Sequence, residues 1–450
     1  MLNVAIHSSR VVLPSVITDA TVICSNGKIV EILNGASCPR GFQYQEMFDA
    51  VLMPGLIDAH VHVNEPGRTE WEGIATASRA ALAGGITTII DMPLNASPVT
   101  TTVEAFNKKM ASMKASGLHC NIGFWGGIVP GNANAIEPLI KAGVLGFKAF
   151  LTHSGIDEFP NANISDLEKA MSLIARHGLP LLVHAELEND LILPEQTNPQ
   201  SYSQYLASRP TAWENNAIDV LIKLSAKYKC KTHIVHLSSA EALAAIKSAK
   251  TNGVPISVET APHYIFFNAE DIPDGNTLYK CAPPIRQRQN NEQLRHALNS
   301  GLIDFVATDH SPATPGLKGI GTGNYKTAWG GIASLQYLLP ATYTAMKPLE
   351  PPLTKITKWL CSSPAKLAGL QATKGMIAVG ADADLMAWMP EDNYVIQAAA
   401  TYHRYPIGPY IGKDVFGKVL GTWIAGKRVY DNEKGFSENE GQFIFNKEHV

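Results

Sequence analysis

Two histidines, His60 and His62, stand one residue apart at the end of an apolar run in IDAHVHVNEPG. Alternate residues of a β-strand point to the same face, so both imidazoles can contact one metal ion from the same side. The pair also fits two histidines that are simply hydrogen-bonded at a strand end. It therefore predicts a metal site only if other parts of the chain supply further ligands.

Four more candidate ligands lie near the ends of later apolar runs: Lys148 in GFKAFL, His184 in LLVHAE, His236 in HIVHLSS and Asp309 in VATDHSP. Each alone is more often a core residue than a ligand, but the recurrence at strand ends favours a shared metal centre. Nitrogen and oxygen ligands without thiolate suit Zn²⁺, with other divalent ions as alternatives.

Lys148 is the unusual member of this set, because an ammonium group has no lone pair for a metal. Burial beside imidazoles and metal ions would favour the neutral amine. A neutral amine can add CO2, and the resulting carbamate has two oxygens that can bridge two ions. The alternative is a lysine paired with Asp309, with four histidines holding a single ion.

The predicted chemistry is metal-assisted hydrolysis of a polarised carbonyl. Two divalent ions can share a hydroxide, which makes a nucleophile at neutral pH. Asp309 would take the proton of this nucleophile and return it to a leaving nitrogen.

The elements that must position these residues are short apolar runs that alternate with helical segments. There are eight such runs: LMPGLIDAH, GITTIIDMP, HCNIGFWGG, VLGFKAFL, LPLLVHAE, KTHIVHLSS, VPISVETAP and IDFVATDHS. Eight strand–helix units favour a parallel (β/α)8 barrel of the TIM type, whose site lies at the C-terminal ends of the strands. A doubly wound sheet is the alternative.

Four Ser/Thr-x-x-Glu patterns, beginning at Thr69, Thr101, Ser165 and Thr211, predict capping boxes at helix starts.

Both ends of the chain are predicted to be β-rich. ATVICSNGKIVEIL contains an Asn-Gly hairpin signal, and KGMIAVGADADLMAWM and VLGTWIAGKRVYD read as strands near the other end. We expect residues 1–50 and 375–450 to form one small β-sandwich domain, with the barrel over residues 51–374 between them.

The order HxH, Lys, His, His, Asp on a barrel resembles the amidohydrolase superfamily and, within it, the cyclic-amide hydrolases. PGLIDAHVHVNEPGRTEWEG, GGITTIIDMPLN, CAPPIR and AWGGIASLQ are most similar to allantoinase motifs. The resemblance implies a binuclear centre with His60, His62, His184, His236, Asp309 and a carbamylated, bridging Lys148 as ligands. It also implies ring opening of allantoin to allantoate in purine degradation, two Zn²⁺ ions per subunit and a homotetramer.

Two positions help to separate the members of this group. Dihydroorotases carry an arginine for the substrate carboxylate where this chain has Asn64, which suits an uncharged substrate. Hydantoinases and dihydropyrimidinases place a tyrosine soon after the lysine, where this chain has THS. We expect Asn64, Asn95 and Ser154 to hydrogen-bond the substrate. Hydantoinase, dihydropyrimidinase or dihydroorotase activity is the alternative, and a non-catalytic scaffold is a distant one.

The remaining histidines are expected to have supporting roles. His233 is expected on the strand face opposite to His236, and His310 is expected to point away from Asp309. His263 is expected to support the ligands or pack in a loop, and His153 is more often structural than a substrate contact.

Composition excludes several other classes of function. The net charge of −3, without runs of like charge, argues against a nucleic-acid or membrane-surface partner. Six scattered cysteines without a CxxC pair indicate a reducing compartment. Neither a secretory signal nor a transmembrane segment is predicted, so we expect a cytoplasmic protein with a small-molecule substrate.

Overall fold

The computed structural model describes residues 3–438 and 441–448. Its strands are β1 (Asn3–Val12), β2 (Ile17–Ser25), β3 (Lys28–Asn34), β4 (Gln43–Glu46), β5 (Val51–Pro54), β6 (Leu56–Val61), β7 (Ile86–Asp91), β8 (Asn121–Phe124), β9 (Gly126–Gly127), β10 (Phe147–Phe150), β11 (Pro180–His184), β12 (Lys231–Ile234), β13 (Ile256–Thr260), β14 (Phe305–Val306), β15 (Leu385–Val395), β16 (Asp414–Ile424), β17 (Lys427–Asp431) and β18 (Gly435–Phe436).

The helices alternate with the middle strands and then cluster before the last ones. They are α1 (Ile74–Ala83), α2 (Val103–Ser116), α3 (Ile136–Ala142), α4 (Ile164–Ile174), α5 (Tyr202–Ala207), α6 (Thr211–Tyr228), α7 (Leu243–Thr251), α8 (Pro262–Phe266), α9 (Arg288–Ser300), α10 (Leu338–Met346), α11 (Leu353–Thr357) and α12 (Ser363–Leu367). No helix within the described residues is both long and apolar enough to cross a membrane.

Strands β6 to β14 form a closed parallel barrel, as the sequence predicts. They pair in the orders β6-β7-β8 and β9-β10-β11-β12-β13-β14, and β9 continues β8 after Trp125. The seam between first and last strands closes where the His62 amide donates to the His310 carbonyl at 2.8 Å. The C-terminal ends of all these strands therefore surround one mouth.

The barrel strands are buried on both faces, which explains their nearly continuous apolar sequences. In β11, Leu181 and Val183 belong to the core shared with the surrounding helices, whereas Leu182 belongs to a different cluster with Ile90 and Phe305. His184 is two residues beyond Leu182 and shares its strand face. The alternation thus directs the histidine to the barrel interior.

The predicted helix starts are misplaced by one to four residues. The N-cap of α2 is Thr102, whose side chain accepts from the Ala105 amide, and α4 begins with a reciprocal capping box between Asn163 and Asp166. The helices α1 and α6 start after Gly73 and Pro210, which cap through no side chain. At α2 and α4 a neighbouring polar residue, Thr102 or Asn163, makes the cap instead of the predicted one, whereas at α1 and α6 no side chain of the N-cap residue makes it.

Both ends of the chain meet in one nine-stranded sheet, as expected. Strand β15 pairs antiparallel with β5, and β5 pairs parallel with β1, so N- and C-terminal strands lie side by side. The sheet has its own core, which includes Val22, Leu385 and Trp423. The small β-sandwich domain and the barrel together are confirmed, and the division at residues 50/51 and 374/375 stays a prediction.

Candidate metal centre

A buried group of His60, His62 and Asp309 lies at the seam between the first and last barrel strands. One ligand atom from each lies within 4.8 Å of the others. Asp309 Oδ1 is 3.2 Å from His60 Nε2 and 3.6 Å from His62 Nε2. Two imidazoles and a carboxylate directed at one point form a donor set that suits a divalent ion.

Hydrogen bonds behind these ligands determine which nitrogen each imidazole presents. His60 Nδ1 lies 2.5 Å from the buried carboxylate of Glu259, which leaves Nε2 facing Asp309. His62 Nδ1 lies 3.2 Å from the side-chain nitrogen of Asn95, whose Oδ1 has no partner among the described residues. A half-turn of this amide lets Oδ1 accept from His62 Nδ1, which frees the Nε2 lone pair for a metal.

His184 and His236 form a second pair on the other side of the mouth. His184 Nδ1 and His236 Nε2 lie 2.9 Å apart. Two nitrogens bound to one tetrahedral Zn²⁺ would be about 3.3 Å apart. The pair is therefore close to the spacing that one shared ion requires. Burial lowers the pKa of both imidazoles, so both are neutral and can act as ligands.

Lys148 reaches the same region from β10. Its side chain is fully buried, and its Nζ has no hydrogen-bond partner in the described part of the chain. Burial lowers the pKa of this amine from 10.5 to about 7, against the opposing effect of the Asp309 and Glu259 carboxylates. An unpartnered, buried and readily neutral amine fits the predicted carbamate better than an ion pair with Asp309.

The backbone turns sharply at these residues. His236 has a φ of 39° and Asp309 a φ of 47°, both in the left-handed region that residues other than glycine seldom adopt. Each follows the last residue of its strand by two or three positions. This strain re-aims the two side chains toward the mouth, as is common at functional sites.

The histidines and Asp309 open into a cavity of about 600 Å³. Seven of the predicted site residues line it, namely His60, His62, Asn95, Ser154, His184, His236 and Asp309. Aromatic side chains, including Tyr205, Trp213 and Trp329, form part of its wall. A small-molecule pocket with a few convergent polar groups is the usual form of an active site.

The sequence model of the amidohydrolase family matches residues 51–429, which is most of the chain. This chain belongs to the amidohydrolase family. Among its curated relatives are allantoinases from Streptomyces avermitilis, at 43% identity with 98% of both chains covered, and from Saccharomyces cerevisiae, at 39% identity with 96% of both covered. An allantoinase from Arabidopsis thaliana is 42% identical over 96% of this chain and 89% of its own length.

Solved structures agree with this family assignment. This amidohydrolase superimposes on the L-hydantoinase (dihydropyrimidinase) from Arthrobacter aurescens with a TM-score of 0.92, at 28% identity, covering 99% of this chain and 100% of the other. The D-hydantoinase from a Thermus species has a TM-score of 0.88 at 23% identity, with 99% of both chains covered, and supports the fold alone. The buried His60, His62 and Asp309 group is thus the metal site of an amidohydrolase.

The expected substrate contacts differ in their placement. Asn64 does not line the cavity within the described residues; its Nδ2 donates to the Pro312 carbonyl at 3.3 Å. Ser154 lines the cavity, but its hydroxyl donates to the Phe159 carbonyl at 2.6 Å. Asn95 lines the cavity beside His62. The roles of all three in substrate binding stay predictions.

Sequence reasoning missed the carboxylates that hold the histidines. Glu259 contacts His60 and also His233, at 3.1 Å, and Glu186 contacts His184 at 2.7 Å. Both glutamates occur in quoted runs, LLVHAE and VPISVETAP. An acidic residue within a buried strand or just beyond it was the signal that could have indicated them.

The supporting histidines follow the expectations only in part. His233 was expected on the face opposite to His236, but both contact Glu259, His236 through its backbone amide. The strand ends at Ile234, so the alternation does not extend to His236. His310 accepts from the Ser334 and Leu335 amides, away from the metal site as expected.

Proposed function

We propose that this amidohydrolase is an allantoinase that hydrolyses the hydantoin ring of allantoin to give allantoate. The observation that carries the proposal is the full-length similarity to allantoinases, at 39–43% identity, combined with metal-ligand side chains at one cavity. Water adds to a ring carbonyl, the carbon–nitrogen bond breaks, and the ring nitrogen leaves with a proton.

His60, His62 and Asp309 would hold one divalent ion, and His184 and His236 a second, with Lys148 carbamylated between them. Divalent ions, Zn²⁺ being the best match to these ligands, would polarise the carbonyl and make water more acidic. We propose a homotetramer by resemblance alone.

Asp309 is the proposed proton carrier. Its carboxylate borders the cavity and faces both histidines of the HxH pair, so it can take a proton from the attacking water. The same group can then give the proton to the leaving ring nitrogen. The His60 imidazole cannot supply this proton, because burial lowers its pKa well below its usual value.

Hydantoinase activity is the second candidate, since the Arthrobacter aurescens L-hydantoinase has nearly the same fold. The test is to compare allantoin, hydantoin, dihydrouracil and dihydroorotate as substrates of metal-loaded protein. The proposal predicts the highest kcat/KM for allantoin. Faster turnover of hydantoin or dihydrouracil would transfer the assignment to the second candidate, and a preference for dihydroorotate would contradict the expectation from Asn64.

A further inference from the structure

Glu186, which is buried, and Arg209, which is partly buried, form an ion pair directly behind His184. Glu186 lies two residues after the histidine, and its side chain has no solvent exposure. Its Oε2 accepts from His184 Nε2 at 2.7 Å and from Arg209 Nη2, while Oε1 accepts from Arg209 Nε at 3.1 Å. The guanidinium thus holds both oxygens in the two-point geometry that arginine favours.

This arrangement determines which nitrogen His184 can offer to a metal. A carboxylate only accepts hydrogen bonds, so the nitrogen that faces Glu186, Nε2, carries the hydrogen. The lone pair then belongs to Nδ1, which lies 2.9 Å from His236 Nε2. Arg209 fixes the orientation of the carboxylate and therefore the plane of the imidazole.

His60 is held in the opposite sense. Glu259 contacts its Nδ1, so Nε2 faces Asp309. Glu259 also contacts His233 and the His236 amide, but neither Glu186 nor Arg209. Glu186 is therefore the carboxylate that contacts the His184 imidazole, and Glu259 the one that contacts the His60 imidazole. Glu259 reaches the second pair only through the backbone amide of His236.

Arg209 also connects this pair with the cavity. It follows α5 and precedes α6, its side chain is 22% exposed, and it lines the cavity beside Trp213. An ion pair that served folding alone would not need to contact the His184 imidazole on one side and the cavity on the other.

We propose that Glu186 and Arg209 are positioning residues that fix His184 as an Nδ1 ligand of the second metal position. This inference rests on the binuclear centre of the proposed function. Neither residue touches the reacting atoms; they act through His184. Loss of such a supporting contact typically weakens metal binding by about 10–100-fold.

The test uses the full chain loaded with cadmium-113, whose nuclear resonance gives one signal for each bound ion. Wild type should show two signals. Glu186→Gln should shift one signal and weaken the binding of that ion by about 10–100-fold, as measured by competition with a chelator. Glu259→Gln should shift the other signal most. Asp384→Asn is the control, because Asp384 is also a nearly buried carboxylate paired with a lysine, Lys374, but lies in the small domain.

Three results would overturn the inference: unchanged signals in Glu186→Gln, the largest movement falling on the same signal in both glutamine variants, or a single signal in wild type. Arg209→Lys decides the case if Glu186→Gln does not fold. Lysine keeps the charge but cannot hold both oxygens, so the signal of the second ion should move, with about tenfold weaker binding. Wild-type behaviour of Arg209→Lys would overturn the part assigned to Arg209.

Failure to open allantoin would refute the proposed function, while the metal signals would still decide this inference.

Discussion

Lys148 gives the most specific prediction, because its state should depend on CO2. Its amine is fully buried and has no hydrogen-bond partner in the described residues. The pKa of the amine falls from 10.5 to about 7. Since each tenfold change in an ionisation constant corresponds to about 1.4 kcal/mol, the site disfavours the ammonium by roughly 5 kcal/mol relative to water.

This shift makes the neutral amine, the form that adds CO2, abundant near neutral pH. With a pKa of about 7, half of the amines are neutral at that pH, whereas at a pKa of 10.5 fewer than about one in a thousand would be. The neutral fraction grows as pH rises through 7. Reactivation of metal-free protein by zinc should therefore be faster at pH 8 than at pH 6 when the concentration of dissolved CO2, the species that the amine adds, is kept the same.

The assay follows the return of activity and the uptake of carbon-13 bicarbonate into a carbamate signal. Lys148→Ala should lose metal and activity, and a short carboxylic acid should partly restore both by replacing the carbamate. Lys318→Ala is the matched control. Burial also lowers the pKa of Lys318 to about 7, but its Nζ donates to three backbone carbonyls, so a carboxylic acid should not rescue its loss.

The reasoning about Lys148 would be refuted by a fully metal-loaded, active protein with an unmodified lysine. Reactivation that is independent of CO2, or that is faster at pH 6 than at pH 8 at the same concentration of dissolved CO2, would also refute it. The centre would then have to be reconsidered as a site for one ion.

Three further predictions concern the other residues of the site. Asp309→Asn should lower kcat by about 10²–10⁴-fold while the circular dichroism spectrum stays unchanged, and a variant within tenfold of wild type would exclude the proton-transfer role. Asn95→Ala should weaken metal binding by about 10–100-fold, because the Asn95 side chain contacts His62 Nδ1. Chelator competition measures the affinity, and an unchanged affinity would show that Asn95 does not position this histidine. Ser154→Ala should raise KM for allantoin by roughly fivefold, the loss of one hydrogen bond of about 1 kcal/mol, because the Ser154 hydroxyl donates to the Phe159 carbonyl but its oxygen can still accept from substrate. An unchanged KM would exclude this contact.

The barrel and the residues at its mouth could be predicted because strand ends carry a strong sequence signal. His60, His184 and Asp309 each follow a short apolar run, and parallel strands bring such ends to one mouth. The small domain was predictable for a similar reason, since both chain ends contain alternating β-rich runs. Its strand pairing depended on contacts between distant segments that no local pattern specifies.

The supporting contacts could not be predicted in the same way. Glu259 reaches His60 across 199 positions, and Arg209 reaches Glu186 across 23. Which imidazole nitrogen faces the mouth depends on these contacts, and so it cannot be read from the position of a histidine. The regular alternation expected for His236 also failed, because the backbone adopts a positive φ after β12 has ended.

The most direct test of the whole account is a titration of metal-free wild-type protein with zinc in the presence of bicarbonate, with allantoate formation from allantoin as the readout. We expect no turnover without metal and a rate that rises until two zinc ions are bound per chain. Full activity without metal, or no allantoate at any zinc occupancy in folded protein, would contradict it.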